Sequence, residues 1–280
     1  MRHVYASVDM APCDVVMDIA GRYWCIDAMA LRNVKLTIAY DGSEYHGWQI
    51  QPGFRTVQEV LTEALRSLLG PRARICGASR TDAGVSALGQ VGLIQIDSPI
   101  PTENLAKAIT DRLPEDMAIV KAEEVPMGFD VIGDVTRKLY HYTIFTGPVR
   151  PVLYMRHCWY VPGELDIRAM SEAAGLLVGR KDFKSFAAAA DHREDSVRTI
   201  FRCEVKDHPA DDGRWVYVDV EGDGFLYNMV RNIVGTLVEV GVGRWKPEKI
   251  SEILQARDRR AAGPIAPPNG LCLMWIKYDG

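Results

Sequence analysis

One short segment of the chain combines a carboxylate, an arginine and small residues in a way that could serve catalysis. It reads Gly77-Ala78-Ser79-Arg80-Thr81-Asp82-Ala83-Gly84-Val85-Ser86. Aspartate is common in turns, where its side chain accepts hydrogen bonds from nearby backbone N–H groups. A nucleophilic carboxylate must instead be ionised near neutral pH and held still, which a neighbouring guanidinium achieves. The local sequence therefore leaves a turn residue and a catalytic residue as alternatives for Asp82.

Arg231 is the candidate partner for this carboxylate. In the apolar, helix-patterned stretch 225–240, only Arg231 and Glu239 carry charge. A cation on so apolar a helix either reaches solvent or pairs with an acid, because burying it alone is costly. The alternative is a solvent-exposed stripe that Arg231 shares with Asn228 and Asn232. The sequence leaves both open.

An aromatic strand offers a possible platform for a flat ligand. Tyr140-His141-Tyr142 follows closely after Arg137-Lys138. Aromatic residues in strands usually belong to the core. Aromatics beside cations can also stack a nucleobase while the cations hold its phosphates.

Composition limits the class of protein. The 280 residues are 48% hydrophobic, as in an ordinary soluble protein with two cores or one extended core. No run approaches the roughly 18 apolar residues of a membrane span. The six cysteines are scattered, without metal-site spacing, so we expect a cytoplasmic protein with no metal. The net charge of −4 argues at first against nucleic acid, but the field at a cleft depends on where the cations lie.

The first half of the chain predicts strands and helices around the Asp82 segment. Apolar alternation predicts a strand over Val34–Tyr40, followed by a turn. Thr56 and Glu59 have the spacing of a capping box and predict a helix that stops at Gly70-Pro71. Further elements are a strand through Ile75, the Asp82 turn, a strand from Val91 to Ile96, and a helix capped by Thr102 and ended by Pro114.

The second half repeats this order. Its predicted elements are a strand over Leu139–Phe145, a helix from Ile167 to Leu177, a strand over Trp215–Glu221, a helix over Phe225–Val240, a short helix opened by Pro247, and a strand over Leu271–Tyr278. This order predicts a duplicated α+β unit with an antiparallel sheet and helices on one face. Residues 1–28 show no sustained period. We interpret them as a poorly ordered extension, or as the product of a start codon assigned upstream of the real one.

Four sequence blocks, taken together, are far more specific than any one of them. They are Tyr40-Asp41-Gly42-Ser43 with Gly47-Trp48-Gln49 and Gln51-Pro52; Ser79-Arg80-Thr81-Asp82-Ala83-Gly84-Val85 with Gly89-Gln90-Val91; Gly224-Phe225 with Met229-Val230-Arg231-Asn232-Ile233-Val234-Gly235; and Ala262-Gly263-Pro264 to Gly270-Leu271. In these blocks the chain resembles the TruA-type tRNA pseudouridine synthases, over about Val34 to Tyr278.

The resemblance implies a reaction without a cofactor. A uridine in the anticodon stem-loop of tRNA, at positions 38 to 40, would be isomerised to pseudouridine. By the same resemblance Asp82 is the nucleophile, Tyr140 stacks on the target base, Arg231 pairs with Asp82, and Arg80 helps to hold the place of the flipped-out nucleotide. Whether the carboxylate attacks the ribose or the uracil ring, or assists formation of a glycal, stays open. A base in a stem must leave its stack to reach such a pocket.

The resemblance also implies an architecture and partners. The expected fold is α+β, with two duplicated ferredoxin/RRM-like α/β-sandwich domains, 29–133 and 134–280. Their mainly antiparallel sheets form one extended sheet around a central RNA-binding cleft. A homodimer is implied, so one tRNA could span two subunits. We expect five basic residues to contact tRNA phosphates: Arg137, Lys138, Arg180, Lys181 and Arg198.

The chain departs from the family pattern at two places. Ser86 stands where the family usually has histidine, and 129–133 reads Phe-Asp-Val-Ile-Gly in place of Phe-x-Ala-Arg-Phe. These changes and the acidic net charge motivate an alternative, a non-catalytic RNA-binding protein. A carboxylate-dependent nucleoside hydrolase is a further alternative, but it lacks an identifiable water-activating partner. The intact Asp82 and Arg231 blocks favour the isomerase.

Overall fold

A large β-sheet carries most of the segments that sequence analysis singles out. The computed structural model describes residues 14–17, 23–26, 31–189, 191 and 195–279. The strands are β1 (Asp14–Met17), β2 (Tyr23–Ile26), β3 (Arg32–Tyr40), β4 (Ile75–Gly77), β5 (Ser86–Ile96), β6 (Met117–Val125), β7 (Val135–Gly147), β8 (Trp159–Pro162), β9 (Gly179–Asp182), β10 (Val197–Ala210), β11 (Gly213–Gly222) and β12 (Leu271–Tyr278). The helices are α1 (Val57–Leu69), α2 (Thr102–Thr110), α3 (Ile167–Gly175), α4 (Met229–Gly241) and α5 (Lys249–Ala256).

Ten of these strands form one continuous sheet. Its order is β6-β3-β5-β12-β7-β11-β10-β9, with β4 paired to β5 and β8 paired to β7. The pairings β5 with β12 and β7 with β8 are parallel, and the others are antiparallel. The fold is therefore α+β with a mixed, mainly antiparallel sheet. The predicted boundary between 29–133 and 134–280 falls between β6 and β7, and the duplication of one unit stays a prediction.

The core lies where the alternation of apolar residues places it. The alternate residues of β3 from Val34 to Tyr40 are at most 4% exposed. Leu61 and Leu65 of α1 are fully buried in the same core. Burying one such side chain stabilises the fold by about 1.5–3 kcal/mol, so the alternation fixes which face of β3 turns inward. None of the described helices is long and apolar enough to cross a membrane.

The helix predicted over Phe225–Val240 begins later than its apolar spacing suggests. It starts at Met229, and Asn228 before it has a φ of 61°. Left-handed backbone cannot continue a right-handed helix. Phe225 therefore precedes the helix and is free to take a separate position.

The predicted extension at residues 1–28 lies mostly outside the described residues. Within it, Asp14–Met17 and Tyr23–Ile26 form an antiparallel two-stranded ladder, separate from the main sheet.

The capping box predicted for α1 does not form. Thr56 is the N-cap residue, but its side chain makes no capping hydrogen bond. Its hydroxyl is fully buried and has no hydrogen-bond partner among the described residues. The first two backbone N–H groups of the helix find partners outside it, since Val57 and Gln58 donate to the carbonyls of Gly47 and Trp48. Tertiary contacts thus replace the local cap.

Thr56→Val is expected to raise the free energy of unfolding by about 1 kcal/mol, because it removes a buried hydroxyl that has no partner. Thr236→Val is the matched control. The buried Thr236 hydroxyl donates to the Asn232 carbonyl (2.7 Å) and accepts from the Gly263 N–H (3.0 Å). Its loss should cost about 1–3 kcal/mol. Urea unfolding measures both, and equal destabilisation by the two changes would contradict the assignment.

Candidate active site

Most of the residues that were predicted to form the site line one cavity of about 860 Å³. Asp82, Arg80, Tyr140 and Arg231 all line it, and so does Lys138. They come from the segment after β4, from β7 and from α4. The structure thus brings together residues from distant parts of the chain.

Asp82 lies in a turn whose backbone is held on both sides. The Val85 N–H donates to the Asp82 carbonyl (3.2 Å), which closes the turn. The Trp48 N–H donates to the Thr81 carbonyl (3.0 Å). The hydroxyls of Thr81 and Tyr40 lie 2.8 Å apart in the core. The backbone at Asp82 therefore forms a turn, as the sequence allowed. This turn leaves the carboxylate at the cavity.

Gly47 permits the close approach on which this turn depends. A Cβ at Gly47 would lie 2.7 Å from the Thr81 carbonyl oxygen, and the residue has a φ of +88°. Both the space and the backbone conformation therefore require glycine. The backbone at Gly47 can therefore lie in direct contact with the Thr81 carbonyl, next to Asp82.

Arg231 pairs with Asp82 across the cavity. Its Nη1 lies 3.2 Å from Asp82 Oδ2, and the two side chains are 13% and 21% exposed. The Arg231 Nε donates to the Ala266 carbonyl at 2.9 Å, which fixes the guanidinium plane. The alternative of a solvent-exposed stripe is wrong, because Asn232 is only 1% exposed and donates to the Phe186 carbonyl.

Tyr140 presents an aromatic ring that is fixed by its neighbours. Its ring packs edge-on against Phe225, with centroids 5.2 Å apart and an interplanar angle of 90°. Its hydroxyl lies 3.4 Å from the hydroxyl of Ser79, the residue immediately before Arg80. Burial raises the pKa of Tyr140 to about 12, so the phenol is neutral at physiological pH. The ring can therefore serve as an apolar wall for a flat ligand.

Comparisons with known proteins agree with this geometry. A family model described as tRNA pseudouridine synthase matches residues 36–132 and 173–279. The protein named tRNA pseudouridine synthase A of Thermoanaerobacter sp. (strain X514) is 39% identical over 248 residues, covering 89% of this chain and 100% of that protein. Its namesake in Citrifermentans bemidjiense is 42% identical over 250 residues, covering 89% and 98%. The chain belongs to the tRNA pseudouridine synthase family. Asp82 and Arg231 lie inside the matched ranges, and Tyr140 lies between them.

Enzymes of the tRNA pseudouridine synthase family are isomerases that act on uridine in tRNA. A carboxylate that acts as a nucleophile must be ionised and held in one position. Burial raises the pKa of Asp82 above its ordinary value, and the hydrogen bond and charge of Arg231 partly oppose this effect. The pair therefore holds a basic, poorly solvated carboxylate in one position, which suits a nucleophile.

Three of the five basic residues predicted to contact phosphates share the cavity face of the sheet. Lys138 on β7 is opposite Gly222 on β11, which is opposite Ile200 on β10. Arg198 lies two residues before Ile200 and is opposite Lys181 on β9. Because side chains alternate along a strand, Lys138, Lys181 and Arg198 point to the same face.

Arg137 and Arg180 lie on the opposite face by the same alternation. Arg137 forms an ion pair with Glu221 at 3.0 Å, and its guanidinium lies 4.3 Å from the centroid of the Phe201 ring. The structure does not place these two arginines beside the cavity.

The two departures from the family pattern have local hydrogen bonds of their own. The Ser86 hydroxyl accepts from the Gly42 N–H at 3.0 Å. The Asp130 carboxylate accepts from the Ile132 N–H at 2.9 Å, within a turn. Both side chains therefore stabilise backbone turns in this chain.

Sequence reasoning gave no site role to Phe225, Ser79 or Gln90. Phe225 was assigned to a helix, although it belongs to one of the four blocks. The Gln90 amide donates to the Ser79 carbonyl at 2.8 Å and so supports the same segment. Their only signal in the sequence was membership of these blocks, because the contacts depend on strand register.

Arg231→Met is expected to raise the pKa of Asp82 further, because it removes the hydrogen bond and the charge that oppose burial. The carboxyl carbon shift of Asp82 against pH, assigned with Asp82→Asn, measures this. Arg244→Met is the control, since Arg244 pairs with Glu239 at 2.7 Å and not with Asp82. An Asp82 titration that is the same in Arg231→Met and wild type would contradict the electrostatic account.

Proposed function

We propose that this protein isomerises uridine to pseudouridine in the anticodon stem-loop of tRNA, at positions 38 to 40, in the cytoplasm, with Asp82 as the nucleophile. The observation that carries the proposal is the buried ion pair of Asp82 and Arg231 beside the Tyr140 ring. The reaction breaks the bond between C1′ and N1 of the nucleotide and forms one between C1′ and C5. The proton lost from C5 balances the proton that N1 gains, so no oxidant or reductant is needed.

The cavity has the size and walls that a flipped-out nucleotide requires. Its volume of about 860 Å³ falls within the range of small-molecule sites. Tyr140 and Phe225 provide an aromatic wall for the base, while Arg80 at the exposed edge is proposed to hold the place that the base leaves. Attack on the ribose and attack on the uracil ring both need an ionised Asp82, so the geometry supports either route.

Lys181 and Arg198 support an RNA surface that extends from the cavity. They lie directly opposite each other on β9 and β10. Like charges at such positions destabilise a sheet, which favours a function that needs both cations. Arg198 also lies close to Gly224, next to the cavity residue Phe225. Contacts of Arg137 and Arg180 with phosphate remain part of the proposal and require RNA that reaches around the edge strand β9.

The proposal includes the two domains 29–133 and 134–280 and a homodimer, both implied by the resemblance. Sedimentation of the purified protein, alone and with tRNA, tests the dimer. If the protein sediments as a monomer at all concentrations, the homodimer is removed from the proposal and the proposed chemistry is unaffected.

Asp82→Asn is expected to abolish pseudouridine formation, with a loss of at least about 10³-fold, because the amide cannot act as the nucleophile. Pseudouridine mapping of tRNA after incubation with each protein measures this. Asp111→Asn is the control, since Asp111 is an exposed partner of Lys107 on α2 and should leave the activity unchanged.

The same variant tests the charge state of Asp82. Because burial holds the folded-state pKa above the unfolded value, the stability that this group contributes is present at acid pH and is lost as pH rises through the folded-state pKa. Asp82→Asn should therefore unfold at no lower temperature than wild type at pH 7. The difference should shrink below the unfolded pKa of about 3.9.

Other outcomes assign other functions. Conversion by Asp82→Asn would remove Asp82 as the nucleophile. Binding of tRNA without any pseudouridine in wild type would favour the non-catalytic RNA-binding protein. Release of free uracil would favour the hydrolase.

Arg198→Met is expected to lower the slope of log affinity against log salt concentration by about one unit, as one lost phosphate contact should. Arg168→Met is the matched control, because Arg168 is an exposed arginine of α3 that pairs with Glu172 and is not among the predicted phosphate contacts. Filter binding of tRNA at several salt concentrations measures both. An unchanged slope for Arg198→Met would place that residue away from the RNA.

A further inference from the structure

Lys138 is a cation that lines the active-site cavity, and its only hydrogen-bond partner among the residues that the structure describes is a backbone carbonyl. Its Nζ donates to the Ala78 carbonyl at 3.1 Å. Among the described residues, no carboxylate forms an ion pair with it. An ammonium carries three donors, so this bond leaves two for another acceptor. Lys138 and Tyr140 are two residues apart on β7 and both line the cavity.

The neighbouring strands bring no counter-charge to Lys138. Gly222 lies opposite it on β11 and Ile276 lies opposite it on β12. Glu221 is on the other face of the sheet, where it pairs with Arg137 and Arg202.

The cavity itself offers Lys138 no free carboxylate. The titratable and charged groups that line the cavity besides Lys138 are His46, Arg80, Asp82, Tyr140, Asp191, Tyr227 and Arg231. Asp82 is paired with Arg231, and the Asp191 carboxylate accepts from the Tyr227 N–H at 2.9 Å. Within the described part of the chain, the half-buried ammonium therefore has no anionic partner.

Removing such a cation from water costs free energy, which indicates that an anionic ligand binds beside it. Desolvation lowers the pKa of Lys138 to about 8, because the charged form loses water and gains no anion. An anion that binds beside Nζ would recover this lost interaction. A phosphate fits better than a uracil carbonyl, since a full negative charge forms the stronger hydrogen bond with an ammonium.

We propose that Lys138 binds the phosphate of the nucleotide that enters the cavity, and that this contact needs the charged ammonium, so tRNA binding takes up a proton at alkaline pH. This inference rests on the proposed function for the identity of the RNA. It differs from the surface contacts of Lys181 and Arg198, because Lys138 lines the cavity itself.

The test compares the salt dependence of tRNA binding at pH 7 and pH 9. All proteins carry Asp82→Asn, so that binding is measured without turnover, and unmodified tRNA is the probe. Lys138→Met removes the charge, Lys138→Arg keeps a charge that does not titrate, and Lys107→Met is the control, because Lys107 is an exposed residue of α2 paired with Asp111.

At pH 7, Lys138→Met should lower the slope of log affinity against log salt by about one unit relative to the Asp82→Asn parent. At pH 9 that difference should become smaller, because a group with a pKa of about 8 is then about nine-tenths deprotonated in the free protein. The parent should lose about five- to tenfold in affinity between the two pH values. Lys138→Arg should lose less, and Lys107→Met should follow the parent.

Two results would overturn the inference. One is a pH 7 slope in Lys138→Met equal to that of the parent. The other is the same loss of affinity with pH in Lys138→Arg as in the parent, and this comparison decides alone if Lys138→Met does not fold. Failure of the proposed function is recognised separately, since wild type would then form no pseudouridine whatever the lysine variants do.

Discussion

The ion pair between Asp82 and Arg231 is the interaction on which the site depends. It joins residues 149 positions apart, one in a turn after β4 and the other in the first turn of α4. Neither residue could be buried alone without a large cost. The ion pair can therefore form only when the turn of Asp82 and α4 pack against each other. The cavity exists only in that arrangement. A function that needs a desolvated carboxylate thus also dictates how the two halves of the chain pack.

The segment that carries Asp82 is held by two cations from the second half of the chain. Arg231 contacts the carboxylate, and Lys138 contacts the Ala78 carbonyl. The first half contributes neutral contacts to the same segment, such as that of Gln90 with the Ser79 carbonyl. Hydrogen bonds from charged donors are about twice as strong as neutral ones. The two cations that line the cavity therefore also hold the segment of Asp82 in position.

The sequence predicted the strongly periodic elements, and several residues that it singled out line one cavity, but it did not predict the contacts that depend on register. The strand Leu271–Tyr278 was predicted with its observed bounds, because its alternation is clear. β10 was not predicted, since charged residues interrupt its apolar pattern and a bulge lies between Ile200 and Arg202. The contact of Phe225 with Tyr140 could not be predicted, because the left-handed backbone of Asn228 makes the helix begin one turn later than its apolar spacing suggests.

The position of β12 has a consequence for how the protein is made. β5 and β7 do not pair with each other, and β12 lies between them in the sheet. β12 is also the last of the sheet strands to leave the ribosome, after every residue of the cavity except Leu271 has been synthesised. The nascent chain can form each half early, but it cannot close the sheet until translation reaches Leu271–Tyr278. A chain that has not yet reached β12 therefore holds Asp82 in a sheet whose strands β5 and β7 are not yet joined.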